Sequence, residues 1–275
     1  MQIKEITFII VTFHSEKVIF DCLDLLPNES QKIIIENSQS TDLKNILESR
    51  YANLTCHLMS QNLGYGKANN IGINFSETDL VFVLNPDARF TPKSLNKFLE
   101  ILSHEEFTIA APVEKWELNQ ELTSKNITEV NSVKGFAMLL NKKFLRNNYF
   151  DENFFLYMEE IDLCKRVKDD LGRILKVNVP IEHLGGASHG DKKNLEMEKS
   201  RNWHWMWSKF YYKKKHEGYL LSLLSTLPSF FSSFIKYFLY FLTKNETKQN
   251  IYKMRFLGLL NSYLLKKSFH RPNLD

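Results

Sequence analysis

Between residues 6 and 102, short apolar runs alternate with stretches of helical spacing. No other feature constrains the fold as strongly. ITFIIVTF (6–13), KIIIE (32–36), TCHLM (55–59) and DLVFVL (79–84) are dense in β-branched and aromatic residues and read as strands. VIFDCLDLL (18–26), residues 41–49, GKANNIGINF (66–75) and PKSLNKFLEIL (92–102) read as helices, the last with Pro92 in its first turn. Strand–helix repetition of this kind predicts an α/β chain with a Rossmann-like, mostly parallel sheet and helices on both faces. Ligands of such sheets sit at the carboxyl ends of the strands. The tips that matter are therefore Thr12–His14, Glu36–Ser38, Ser60–Asn62 and Asn85–Asp87.

The second half changes character. SVKGFAMLLNKKFL (132–145) reads as a strand leading into a helix, and FDENFFLYMEEIDLCKRVKDDLG (150–172) as a loop entering a helix that stops at Gly172. ILKVNVPIEHLGGASHG (174–190) holds a strand and a Gly-rich loop, and residues 195–215 form a helix with Trp203 and Trp207 on one face. A chain of 275 residues accommodates one large domain with an appendage. Cys22, Cys56 and Cys164 are far apart and form no C-x-x-C pair, which argues against a disulfide framework or a thiolate zinc site and for a reducing cytoplasm. The N-terminus, with an acid among its first charges and no small-residue cleavage site, reads as a first strand rather than a signal peptide.

The strand tips carry the chemistry. Thr12-Phe13-His14-Ser15 contains no glycine, whereas dinucleotide and P-loop phosphate sites need glycines there so that the backbone can approach phosphate. That counts against those two classes and, for the same reason, against a nucleotidyltransferase. At the second tip Glu36 and Asn37 can bond a base edge, or the turn can simply cap the following helix through Ser40. QNLGYGKANNIG (61–72) combines Asn62, the glycines Gly64 and Gly66, the cation Lys67 and the amides of Asn69 and Asn70 at a helix start, a setting suited to a diphosphate. Asp87 follows a deeply apolar strand at the ligand edge. A hard divalent cation needs only one or two protein carboxylates when substrate phosphates complete its shell.

Two further clusters stand out. YMEEIDLCKR gathers Glu159, Glu160 and Asp162 at a helix start, where they complement the helix dipole or supply a general base whose pKa is lifted by like charge. His183 closes a strand just before two glycines, a place for a metal or phosphate contact, and His189 follows in the same loop.

Taken in order, IIVTFHS, IIIENSQSTD, QNLGYGKANNIG, FVLNPDARF, FDENFFLYMEEIDLCKR and HLGGAS resemble glycosyltransferase family 2 on a GT-A fold, and within it the rhamnosyltransferase-like branch of O-antigen and capsule assembly. The resemblance covers residues 6–190 or so. It implies that Thr12, Phe13, His14, Glu36 and Asn37 hold base and ribose, and that Asn62, Gly64, Lys67, Asn69 and Asn85 line the rest of the donor site. Asp87 stands at the family's D-x-D position and would bind Mg²⁺ or Mn²⁺ on the donor diphosphate, with His183 on or near that ion. MEEIDL stands at the family's E-D motif. This maps the base to Glu160, with Asp162 as the alternative and Glu159 beside it. Three departures are visible: Asn85 replaces the first acid of D-x-D, Glu160 stands where Asp is commoner, and His14 where Asn is common. The implied activity is inverting transfer of a sugar, dTDP-rhamnose being the favoured donor and UDP-hexose, UDP-N-acetylhexosamine or UDP-galactofuranose the alternatives. The implied acceptor is a glycan or lipid-linked saccharide. A degenerate homologue that only binds glycan is the non-enzymatic alternative.

The tail is distinct. From Lys209 onward there are 12 Lys/Arg against 3 Asp/Glu, whereas residues 1–208 hold 24 against 29. Basic charge interleaved with Phe, Leu and Tyr favours a membrane surface over nucleic acid. Residues 218–235 carry no charge, but six Ser/Thr and Pro228 dilute them as a membrane span. Three readings stay open: helices lying on the cytoplasmic face of the plasma membrane, packing in the core or in a homodimer, and a true span. The expected division is a GT-A domain at 1–215 and a helical, membrane-surface region at 216–275.

Overall fold

The computed structural model describes residues 1–119, 126–185 and 194–272. The chain forms two compact units, Met1–Asp151 with Glu160–His189, and Glu152–Glu159 with Gly190–Asp275.

The first unit is built on a mixed sheet. Strands β1 (Ile6–Thr12), β2 (Gln31–Glu36), β3 (Leu54–Leu58) and β4 (Leu80–Leu84) lie in the order β3-β2-β1-β4, all parallel. Register pairs Thr12 with Glu36 and Glu36 with Leu58, so these tips share one edge. Beyond β4 the order continues β8 (Ala137–Asn141), which runs into the short helix α5 (Lys142–Leu145), then β6 (Ile109–Glu114), β9 (Ile174–His183) and β5 (Ala88–Arg89), with β7 (Ile127–Glu129) also on β9. Strand β8 runs against both β4 and β6, and β6 runs parallel to β9. The start of β8 therefore meets the carboxyl ends of β4, β6 and β9 at that same edge.

The sheet is covered as the alternation requires. Phe8 and Ile10 of β1 point into a core with α1 (Ile19–Leu23), α2 (Thr41–Arg50) and α4 (Pro92–Leu102). Ile9 points the other way, among Ile73 of α3 (Tyr65–Phe75) and Leu163, Cys164 and Val167 of α6 (Glu159–Asp169). Phe82 is fully buried, stacks with Phe8 at 5.6 Å and meets Phe98 at a tilt, 5.7 Å between centroids, a burial that contributes about 1.5–3 kcal/mol. Ser40 and Thr91 cap α2 and α4 through their hydroxyls, accepting from Leu43 N and Ser94 N.

Two differences from the sequence reading have local causes. Helix α1 is shorter than its 18–26 spacing because Leu25 N and Leu26 N bond Cys22 O and Leu23 O, tightening the last turn before Pro27. Strands β6 and β7 lie in a region without a strand signal. IAAPVE has two alanines and a proline, residues with little strand preference, and the β6–β9 register shifts at Pro112/Val113.

In the second unit, α7 (Asn194–Glu217), α8 (Tyr219–Leu242) and α9 (Glu246–Tyr263) pack on one another. Gly258 lets α9 approach α7 closely, since a Cβ there would stand 2.3 Å from the Trp203 carbonyl oxygen. The segment 154–156 joins this unit: Phe154 packs edge-on to Tyr211, Phe155 stacks on His204, and the Ser208 hydroxyl donates to Leu156 O. Among the described residues no helix is long and apolar enough to cross a membrane.

Candidate active site

The edge where the parallel strands end is held together by the tripeptide Lys134-Gly135-Phe136, which leads into β8. Phe136 O accepts from Asn85 N at 2.8 Å, and the Phe136 ring stacks on His183 at 4.4 Å between centroids. Gly135 O accepts from the Tyr65 hydroxyl. Gly135 also lies against Glu160, since a Cβ there would stand 3.3 Å from Glu160 Cβ. Lys134 forms an ion pair with Glu114 and a second, at 3.3 Å, with Glu117.

Asp87 is buried, and His183 reaches it because β5 pairs antiparallel with β9, setting Ala88 opposite His183. His183 Nε2 stands 3.4 Å from Asp87 Oδ1, and Nδ1 stands 3.0 Å from Glu114 Oε1. Burial of the ring opposes its charge, but the hydrogen bonds to Asp87 and Glu114 outweigh it and raise the His183 pKa. Burial alone would raise the Glu114 pKa, yet Lys134 and His183 hold it below the usual value.

This pair fits a divalent cation. Ligand bonds of about 2.0–2.2 Å at right angles place neighbouring donors about 3 Å apart, close to the Asp87–His183 spacing. Glu114 on Nδ1 would be the outer carboxylate that fixes a ligating imidazole with Nε2 turned to the ion beside Asp87. Among the described residues no group of three His, Cys, Asp or Glu converges on one point. A cation held by Asp87 and His183 would therefore need oxygens from phosphate and water.

The three acids of α6 separate. Glu160 is pushed up from the ordinary glutamate value by burial, partly countered by the backbone N–H groups of Glu160 and Ile161. Asp162 is fully buried and accepts from Arg166 Nε at 2.8 Å, while Arg166 also holds Asn148 and Tyr149 O. Its carboxylate thus anchors α6. Glu159, the first residue of α6, is buried.

At the first tip Thr12 is buried, and His14 takes the left-handed conformation, φ 51°, that Asn, Asp and His tolerate better than most residues. Phe13 and His14 contact ring to ring, and His14 N donates to Ser38 Oγ. Glu36 is engaged within its own turn. Buried, it accepts from Ser38 N, Ser40 N and the Ser38 hydroxyl, so it builds the turn. Asn37 likewise bridges Leu63 N and Gly64 O, each at 3.4 Å. Asn62 Oδ1 accepts from Gly64 N at 2.9 Å, and Gly64 opens α3 at φ 82°, a conformation that requires glycine. Lys67 follows in the first turn of α3. Asn69 is fully buried and donates to Tyr65 O, and Asn70 clamps both backbone groups of Phe150. These two amides brace α3. His189 and the loop beyond Gly185 lie outside the described residues.

Sequence reasoning missed Glu114, Lys134, Gly135 and Phe136. Glu114 carries the signal that singled out Asp87, an acid at the tip of an apolar run, but its run contains two alanines and a proline and did not read as a strand.

The family pattern described as "Glycosyl transferase family 2" matches residues 7–163, from β1 through Asp87 and Glu160. The chain belongs to glycosyl transferase family 2. Two relatives of this family 2 member are each 24% identical to it. The "Low-salt glycan biosynthesis hexosyltransferase Agl10" of Haloferax volcanii aligns over 61% of the chain, which spans 62% of that relative's length. "Rhamnosyltransferase WbbL" of Escherichia coli (strain K12) aligns over 71% of the chain and 88% of the relative. Among solved structures, the mannosyltransferase PcManGT from Pyrobaculum calidifontis, in complex with GDP-Man and Mn²⁺, superposes with a TM-score of 0.59 at 13% identity, covering 96% of this chain and 88% of that one. At that identity the likeness speaks for the GT-A-like fold of this glycosyl transferase.

Proposed function

We propose that the chain transfers a glycosyl residue from a nucleoside diphosphate sugar to a hydroxyl of a glycan or lipid-linked saccharide, inverting the anomeric centre. The reading rests above all on one observation. A half-buried carboxyl, Glu160, lies against the same tripeptide that seats the Asp87–His183 pair at the carboxyl edge of the sheet.

Glu160 takes the proton of the acceptor hydroxyl as its oxygen bonds the anomeric carbon. The bond from that carbon to the diphosphate breaks, and its electron pair leaves with the diphosphate. Attack from the face opposite the leaving group inverts the centre. Asp87 and His183 would hold Mg²⁺ or Mn²⁺, which when bound would neutralise the charge of the leaving diphosphate. Glu114 orients His183 through Nδ1. Phe13 and His14 face the base and ribose, Gly64 and Lys67 the diphosphate. Thr12, Glu36, Asn37 and Asn69 keep these loops in place. The relationship to a rhamnosyltransferase favours dTDP-rhamnose over UDP-sugars as donor and surface polysaccharide as product, made at the cytoplasmic side of a membrane.

Thermal-shift screening of nucleotide sugars with Mn²⁺ tests the donor, because a ligand at 100 times its Kd stabilises by about 2.7 kcal/mol. The expected result is a Mn²⁺-dependent rise with dTDP-rhamnose. A rise with a UDP-sugar alone moves the donor assignment. Binding without turnover on any acceptor moves the chain to a non-catalytic glycan binder.

A further inference from the structure

Helix α8 is built inside out. Its inward residues are small: Ser222, Thr226 and Ser233 are buried, their hydroxyls bonded to Gly218 O, Ser222 O and Ser229 O of their own helix. Its large apolar residues point to solvent. Leu220, Leu224, Phe231, Phe234, Phe238 and Leu242 are 49–72% exposed. At 100° per residue these six fall within about 80° of arc, opposite the three small residues. A surface helix of a water-soluble unit has the reverse arrangement, and an apolar stripe of this kind marks an interaction surface.

Charge identifies the occupant. The only charged residue of α8 is Lys236, which lies off the stripe with its ammonium 5.2 Å from the centre of the Tyr252 ring. The stripe itself is uncharged, yet it sits in a segment with 12 Lys/Arg against 3 Asp/Glu from Lys209 onward. Lys213, Lys214 and Lys215 end α7 just before α8, and Lys244 and Lys248 follow it. A second copy of this unit would bring the same positive excess against itself. An anionic bilayer brings the opposite charge, together with an apolar layer for the stripe. Since no described helix suits a crossing, the helix lies along the surface.

We propose that the outer face of α8 docks on an anionic lipid bilayer, Leu220, Leu224, Phe231, Phe234, Phe238 and Leu242 entering the acyl boundary and the flanking lysines meeting headgroups. This stands on the helix alone and is independent of the reading of the active site. Flotation of the full chain with phosphatidylglycerol/phosphatidylcholine vesicles tests it, against pure phosphatidylcholine vesicles and against the triple variant Leu224→Glu, Phe231→Glu, Phe238→Glu. These positions are exposed, so circular dichroism and the melting temperature should be unchanged. The expected result is co-flotation with the anionic vesicles, weaker in high salt, and at least a tenfold loss in the variant. Equal flotation of variant and wild type overturns the proposal. So does a wild-type dimer in light scattering that the variant turns into a monomer, because a second copy would then cover the stripe.

Discussion

Gly135 leaves room for Glu160: a Cβ on Gly135 would stand 3.3 Å from Glu160 Cβ and 3.6 Å from its Cδ. The absence of a side chain at one position thus sets where a carboxyl lies at another. Gly135→Ala should displace that carboxyl by a few tenths of an ångström. Turnover is expected to fall on the order of 10-fold to 100-fold, as misplacement of reacting groups does. Donor affinity, measured by calorimetry, should stay within about twofold, because alanine keeps the Gly135 carbonyl that bonds Tyr65 of the donor loop. Unchanged turnover would show that Glu160 has no positional role.

Burial lifts the Glu160 pKa above the ordinary 4.5. A general base acts when ionised, so kcat/KM should rise with pH along a limb whose midpoint lies above that value. The stability sign follows. Between the ordinary and raised values the unfolded chain loses this proton while the folded chain keeps it, so the favourable contribution at low pH disappears as pH rises through that window. Urea unfolding at pH 8 should therefore find Glu160→Gln at least as stable as wild type. A clear loss of stability would place Glu160 in a structural role.

Glu114 and His183 give a separate test. Glu114→Gln keeps the shape but removes the charge behind the imidazole, and should weaken Mn²⁺ binding about 10-fold to 100-fold in a calorimetric titration with nucleoside diphosphate present. Equal affinity in the two proteins would remove Glu114 from any metal-orienting role.

In the helical unit, His204 is fully buried, its Nε2 bonded to His270 O and its Nδ1 to the Ser268 hydroxyl. A carbonyl only accepts, so the proton is on Nε2 and Ser268 donates to Nδ1. Burial, reinforced by Arg271, pushes the pKa down to about 3. The folded state holds His204 neutral, so the stability it contributes is present above the unfolded value of 6.5 and is lost as pH falls towards 3. At pH 5 wild type should have lost about 2 kcal/mol relative to pH 8 through this group. His204→Gln should remove that part of the pH dependence in denaturant titrations of the helical unit. Identical pH profiles would contradict the buried neutral state.

These residues also show what the sequence can and cannot disclose. The strands and helices from Ile6 to Leu102 were legible because Val, Ile and Phe runs alternate with helical spacing. The site tips Asp87 and His183 followed from where such runs end. Their partner Glu114 was hidden by IAAPVE, whose strand character comes from pairing with β8 and β9 and not from its residues. Gly135 is one glycine in an unremarkable stretch until the fold lays it against Glu160, a residue 25 positions later. Glu36, Asn37 and Asp162 read as ligand-facing acids and amides. Only the geometry reveals that Ser38, Gly64 and Arg166 already engage them.

The most direct test compares wild type with Glu160→Gln, using Mn²⁺, the donor from the thermal-shift screen and a saccharide acceptor, and follows release of nucleoside diphosphate. Both proteins should bind the donor with similar affinity, and the variant should turn over about 100-fold to 10,000-fold more slowly. Near wild-type release by Glu160→Gln would contradict the account at its centre.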